Sequence, residues 1–220
     1  MRESLTGNLL VASSLVTDPM YAGGVCLIVH EDESNVIGVM LNRPIRPNQE
    51  ALRAVLEGTT DGGPESPGNR LATERHEMDS EASDEAARAD SEHPFGELPW
   101  RMLHFGGPLS GPVVAVHQMS QYAEAETGDG IYVAAQKHHL EDLLKRNSDN
   151  CRVIVGHLGW QAEQLEQEIA AGIWHIIPAT VDDVFISARD MWSRVIRRAT
   201  SNSVARWIGI PDVIEAGELN

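Results

Sequence analysis

At 220 residues and 24.1 kDa the chain has room for one domain, or one domain with an appendage. Hydrophobic residues at 42% and charged residues at 23% argue against a disordered chain, a collagen or a coiled coil. The 33 Asp and Glu outweigh 17 Lys and Arg to give a formal net charge of -16, which opposes non-specific attraction to nucleic-acid phosphates or anionic lipid.

The first apolar run is Leu9 to Val16. It contains Ser13 and Ser14, follows Glu3 and leads into Thr17-Asp18-Pro19 with no small-x-small cleavage pattern, so it reads as a buried strand rather than a signal-peptide core. Val25 to His30 and Val36 to Leu41 flank the acidic turn Glu31-Asp32-Glu33 and predict a hairpin. Gln49 to Glu57 places Leu52, Val55 and Leu56 at helical spacing and stops at Gly58. From Thr59 to Leu98 the pattern is lost: 11 acids against three bases give net -8 in a stretch rich in Gly, Pro, Ser and Ala. Such a composition cannot bury enough apolar surface to offset its ordering entropy. The predicted organisation is therefore one domain from 1–58 and 99–220, with residues 59–98 as an acidic, disordered insert.

Beyond the insert, Val113 to His117, Ile131 to Ala135, Arg152 to Gly156 and Ile173 to Ile177 read as strands. Three helices are predicted there. His138 to Arg146 carries Leu140, Leu143 and Leu144 and stops at Asn147; Gln161 to Ala171 sets Leu165 and Ile169 four apart; Ala188 to Ala199 groups Met191, Trp192, Val195 and Ile196. Hairpins early and helices late point to an α+β fold rather than regular βαβ repeats. Neither an internal repeat nor a run of the roughly 20 apolar residues that crosses a bilayer is present. Two cysteines, Cys26 and Cys151, are too few for a disulfide scaffold and suit the reducing cytoplasm.

An ordered series of motifs runs through both halves. Leu9-Leu10-Val11-Ala12-Ser13 is followed by Asp18-Pro19, Tyr21, His30-Glu31-Asp32, Gly38 and Asn42-Arg43-Pro44. After the insert come Phe105-Gly106-Gly107-Pro108, Gly156, Gly159-Trp160, Gln164-Leu165-Glu166, Glu168-Ile169 and Trp174. This series resembles the YqgE/AlgH family of bacterial proteins, over roughly Ser4 to Gly209 apart from the insert. The resemblance implies a bifurcated, mostly antiparallel sheet folded into a pseudo-barrel with flanking helices, and a role in transcriptional regulation. The chain departs from the family pattern at Gly23-Gly24, where Arg-Ser is usual, and at His30-Glu31, where the order is often reversed. It also has Glu163 in place of a Gly, and Val29 in place of a Cys.

Three places carry candidate ligand-binding residues. Asn42 and Arg43 end a strand before Pro44, where a planar guanidinium suits a carboxylate or phosphate; local backbone bonding by Asn42 and a surface ion pair at Arg43 fit the same residues. Gly106, Gly107 and Pro108 offer either an anion nest of backbone N–H groups or a tight turn before Val113. Trp160 and Gln164 are four apart, so a helix starting at Trp160 would align an aromatic wall with an amide, with Glu166 nearby; alternatively Trp160 fills core and the acids coat a solvated face.

Chemistry of other kinds has little support. There is no Gly-x-Ser-x-Gly elbow, His-Glu-x-x-His or Cys-x-x-Cys. Cys26 lies in an apolar run, Cys151 near Lys145, Arg146 and Arg152, and both are expected to be inert thiols. His138 and Asp142 lack a third metal ligand, so no metal and no cofactor is expected. Arg189, Arg194, Arg197, Arg198 and Arg206 oppose only Asp190, a net +4 stripe that is the one candidate contact for nucleic acid. If the acidic insert shields that stripe, deleting residues 59–98 should raise salt-sensitive DNA retention. The expected function is thus a non-enzymatic regulator that binds a small molecule or partner protein, with direct DNA binding as the alternative and an enzyme behind both.

Overall fold

The computed structural model describes residues 4–46, 103–146 and 148–208. The predicted helix Gln49 to Glu57, the stretch 59–98 and the stop at Asn147 lie outside the described residues.

The predicted strands before the insert are present as β1 (Asn8–Ala12), β2 (Val25–Glu31) and β3 (Asn35–Met40). β1 ends earlier than the predicted Val16 because Ser13 turns the chain: its carbonyl accepts from Val16 and its hydroxyl from Leu15. The β2–β3 turn is an Asp turn, with Asp32 Oδ1 accepting from the Ser34 and Asn35 N–H groups at 2.8 Å each. After the insert follow β4 (Leu103–Phe105), β5 (Val114–His117), β6 (Ala125–Gly128), β7 (Ile131–Ala134), β8 (Cys151–Val155), β9 (Leu158–Gln161) and β10 (Trp174–Pro178). The helices are α1 (Lys137–Arg146), α2 (Ala162–Ala170), α3 (Val181–Val184) and α4 (Ala188–Ile208).

The strands form two five-stranded sheets, ordered β10-β1-β2-β3-β9 and β4-β8-β5-β7-β6. All pairings are antiparallel except β4 with β8. This is an α+β fold with antiparallel-rich sheets, as expected, and the sheets branch from a shared corner. β3 runs on past Met40 to pair with the β4 region: Met40 N–H donates to Gly106 O at 2.9 Å, Phe105 N–H to Arg43 O at 2.8 Å and Ile45 N–H to Leu103 O at 3.0 Å. β8 likewise leaves the second sheet at Val155 and enters the first as β9. The branches remain two sheets rather than one closed barrel.

Strand alternation divides the apolar residues among three layers of core. Leu9, Val11 and Leu27 of the first sheet meet Val116 and Ile154 of the second, with α4 sealing the gap through Met191, Val195 and Ala199. On the outer face of the first sheet Leu10, Cys26 and Met40 lie under α2, which inserts Leu165. On the outer face of the second, Ala115 and Val153 lie under α1, which inserts Leu140 and Leu143. β1 is buried on both sides, which is why it reads as an unbroken apolar run.

Candidate functional site

Asn42 and Arg43 are spent on one loop. Asn42 Oδ1 accepts from Val25 N–H at 3.0 Å and its Nδ2 donates to Gly23 O at 2.8 Å. Arg43 donates to the carbonyls of Met20, Ala22 and Asn42, the bond to Ala22 being the shortest at 2.7 Å. Its fork is therefore turned on backbone oxygens of the loop between β1 and β2. Apart from the Arg43 contact with Asn42, these partners lie 17 to 23 residues away, so the pair holds the β1–β2 loop instead of making the local backbone bonds expected of Asn42.

Gly106 and Gly107 are buried in the corner where the sheets branch, and Pro108 is exposed beside it. Gly106 N–H donates to Val155 O at 2.7 Å, so this amide is not presented to a ligand. A Cβ on Gly106 would stand 2.1 Å from Gly156 O, and Gly156 itself has φ of 78°. Two backbones cross here at a distance that only glycine allows. The chain then bridges Leu109 to His157 before reaching β5, so the segment is a strand crossing rather than a simple turn.

Trp160 lies in β9 and not on the helix, because Gln161 keeps extended dihedrals as the N-cap of α2. The indole and Gln164 nevertheless meet, through Glu168. Glu168 Oε2 accepts from Trp160 Nε1 at 3.0 Å and from Trp174 Nε1 at 2.9 Å, while Oε1 accepts from Gln164 Nε2 at 2.8 Å. The Trp160 and Trp174 rings meet edge to face at 6.0 Å, and Tyr21 meets Trp174 at 6.3 Å. Two indole donors and an amide thus satisfy one carboxylate inside an aromatic cluster. Gln164 and Glu166 are exposed on α2, and Trp160 is buried.

Tyr21 ties this cluster to the loop held by Arg43, so two of the three predicted places converge on the outer face of the first sheet. Solvent covers the rim. Leu15 is 81% exposed, Ile173 39% and Met20 38%. The turn that carries Leu15 is tied to Ile173, since Ser13 N–H donates to Ile173 O at 2.9 Å and Ser13 Oγ accepts from Leu15 N–H at 3.3 Å. The sequence reading missed Glu168 as the centre, although its i,i+4 spacing to Gln164 was there to be read, and missed Tyr21 and Trp174 as partners. Tyr21 lies on a loop far from the helix in sequence and gives no local signal; Trp174 is only six residues from Glu168, but the pair is set by β10 folding back beside α2.

Elsewhere, the α4 arginines are partly committed. Arg198 Nη1 lies 2.5 Å and Arg194 Nε 3.4 Å from the buried Asp183, whose Oδ2 also accepts from Thr180 Oγ1 at 2.7 Å. Arg197 Nε donates to Ser193 O at 3.0 Å, and Arg189 is exposed. Arg206 lies outside the residues whose side chains are described. Cys26 and Cys151 are both buried, and burial pushes the Cys151 thiol up to about 12 and Cys26 higher still. The charge of Arg152 acts to lower Cys151, but burial outweighs it, so the thiol stays out of the reactive range. His138 meets His139 with ring centroids 4.0 Å apart and planes tilted by 52°, and Asp142 meets Lys145 at 3.6 Å. Among the described residues no group of three or more His, Cys, Asp or Glu is arranged to hold a metal ion.

A polar cluster that the sequence reading missed sits at the start of α1. Glu124 accepts from Gln136 N–H at 2.9 Å, Ala135 N–H at 3.1 Å and His139 Nδ1 at 2.8 Å. Against the effect of burial, these donors hold its carboxyl below the usual range. Nearby His117 is buried, accepts from Met119 N–H at 3.2 Å, and is pulled down to about 4 by burial and by His139. It carries no positive charge at neutral pH.

The AlgH-like family model matches residues 9–203. A UPF0301 protein of Thermobifida fusca is 31% identical over 207 residues, spanning 90% of this chain and 88% of its own. One from Stenotrophomonas maltophilia is 28% identical over 186 residues, spanning 83% and 81%. A crystal structure of a Corynebacterium diphtheriae protein shares the fold with a TM-score of 0.58 at 23% identity, covering 90% of this chain and 88% of that one. The solution structure of the AlgH protein from Pseudomonas aeruginosa does so at 0.53 and 18%, covering 100% and 99%. No helix among the described residues is long and apolar enough to cross a membrane. The motif series read from the sequence, the branched pair of sheets and the family match agree, and the chain belongs to the AlgH-like family.

Proposed function

We propose that the chain is a cytoplasmic regulatory protein that influences transcription by binding a partner protein or small molecule rather than by catalysis. One observation carries this reading: Leu15, Met20 and Ile173 stand in solvent on segments that adjoin the aromatic cluster of Tyr21, Trp160 and Trp174. A monomer gains nothing by exposing such a patch unless something covers it. The polar groups with the most chemical potential on that side, Arg43 and Glu168, are bonded inward, which favours a docking surface over a reactive centre.

The test is a strain lacking the gene. Transcript levels should change on deletion and return with the full chain, and the purified protein should show no sequence-specific retention of the affected promoter DNA. Specific retention that falls on Arg189→Ala and Arg197→Ala would overturn the reading in favour of direct DNA binding along Arg189, Arg194, Arg197 and Arg198.

A further inference from the structure

Charge is unevenly placed along the segments of the described fold. Residues 4–42 contain no Lys or Arg, and neither do residues 153–188. Those two segments build the whole first sheet, β1, β2, β3, β9 and β10, together with α2 on its outer face. They carry nine acids: Asp18, Glu31, Asp32, Glu33, Glu163, Glu166, Glu168, Asp182 and Asp183. Asp182 and Asp183 turn toward the arginines of α4. The others belong to the outer side and its hairpin tip, which is joined to α2 where Ala162 N–H donates to Ser34 O at 2.9 Å.

Three of the exposed large apolar residues, Leu15, Met20 and Ile173, belong to these two segments, while Leu109 is exposed elsewhere, at the bridge to His157. Met20 is held beside Asp18, whose Oδ1 accepts the Met20 N–H at 2.8 Å. Ile173 directly precedes Trp174, whose indole is bonded to Glu168 on α2. Arg43 reaches this side from outside the two segments, and its donors are turned onto the Met20 and Ala22 carbonyls. The result is an aliphatic and aromatic centre with an acidic surround.

We propose that this face docks a basic segment of a partner protein, with an aliphatic or aromatic anchor seated among Leu15, Met20 and Ile173 and flanking Lys or Arg side chains opposite Asp18, Glu163 and Glu166. The inference rests on the regulatory reading above and names the chemistry of its partner. Charge complementarity selects the occupant. A nucleic acid or an anionic lipid surface is repelled, and a second copy presenting the same face would set acid against acid in a two-fold contact.

The experiment is a fluorescence-anisotropy titration of the full chain with three labelled peptides of equal length: one of Leu and Lys, one of Ser and Lys, and one of Leu and Glu. The Leu/Lys peptide binds saturably, and more weakly as salt is raised. Leu15→Ser with Ile173→Ser weakens it by about tenfold or more through lost apolar contact. Glu163→Gln with Glu166→Gln weakens it less and flattens the salt dependence. All four residues are exposed, so circular dichroism and melting of the variants should match the wild type. Unchanged binding by the Leu15/Ile173 variant, or equal binding of the Leu/Glu peptide, overturns the proposal. So does a concentration-dependent dimer that the same variant abolishes, since the occupant would then be a second copy. The two readings fail separately. If the Leu15/Ile173 variant restores transcripts as well as wild type, the docking face falls and the regulatory reading stands; if gene deletion leaves transcripts unchanged while peptide binding behaves as expected, the reverse holds.

Discussion

Replacing Arg152 tests how the two sheets and α4 are held together. Its guanidinium is buried in the central core, where Nε donates to Val184 O at 2.8 Å, Nη1 to His104 Nε2 at 2.8 Å, and Nη2 to Ile186 O. The two carbonyls belong to the connection between α3 and α4, so one side chain of the second sheet fastens the entry to the long helix. Burial opposes the charge and pulls the group from 12.5 down to about 10, which corresponds to a cost of about 3 kcal/mol. Three hydrogen bonds from a charged donor return about 1.5–3 kcal/mol each. In Arg152→Met the burial cost vanishes and all three bonds go, for a net loss of about 2–6 kcal/mol. Arg152→Lys keeps the charge and the burial cost but not the planar fork, so it should be no better than Met. Urea unfolding at pH 7, followed by circular dichroism, measures both. A loss below about 1 kcal/mol for Arg152→Met would refute the claim that this residue fastens α4.

Three further outcomes are expected. Gly106→Ala forces a Cβ to 2.1 Å from Gly156 O and should cost several kcal/mol or prevent folding, whereas Gly172→Ala, with φ of 72° and nothing within 4 Å of the new Cβ, should cost only about 1–2 kcal/mol; melting curves compare them. Glu168→Gln keeps an acceptor for the indoles but removes its charge, so a loss of about 1–2 kcal/mol and a changed tryptophan emission are expected, and neither change would mean that the carboxylate does not organise the cluster. The folded-state pKa of His117, about 4, lies below its ordinary 6.5, so between those values the unfolded chain binds a proton that the folded chain refuses. Its contribution to stability is complete above pH 6.5 and is lost as pH falls toward 4, and His117→Gln should flatten urea midpoints across that window.

Strong local signals carried most of the fold. β1, β2, β3 and β8 are apolar runs bounded by turn residues, and Leu140, Leu143 and Leu165 mark the buried sides of α1 and α2. The elements missed were those without such a signal. β6 reads Ala-Glu-Thr-Gly and buries only Thr127, β4 has three residues, and β9 is four residues long with its last, Gln161, falling in the predicted helix. The α3 turn depends on Thr180 as a cap, which four residues cannot advertise by periodicity.

The candidate residues were found more readily than their roles, and the reason is the same at each place. Asn42, Arg43 and Gly106 draw their partners from segments distant in sequence, the β1–β2 loop and the β8–β9 crossing, and Trp160 draws its own from the next helix and strand, placed only by the fold. Residue type indicates what a group can bond to, but only the sheet pairings decide whether that partner is the protein itself. For Arg43 and Glu168 it is. What then remains for an outside partner is what the fold leaves uncovered, an apolar rim on the side of the molecule whose segments contain no Lys or Arg. Total charge alone argued against nucleic acid, whereas the placement of that charge on the same side as Leu15 and Ile173 argues for a basic partner.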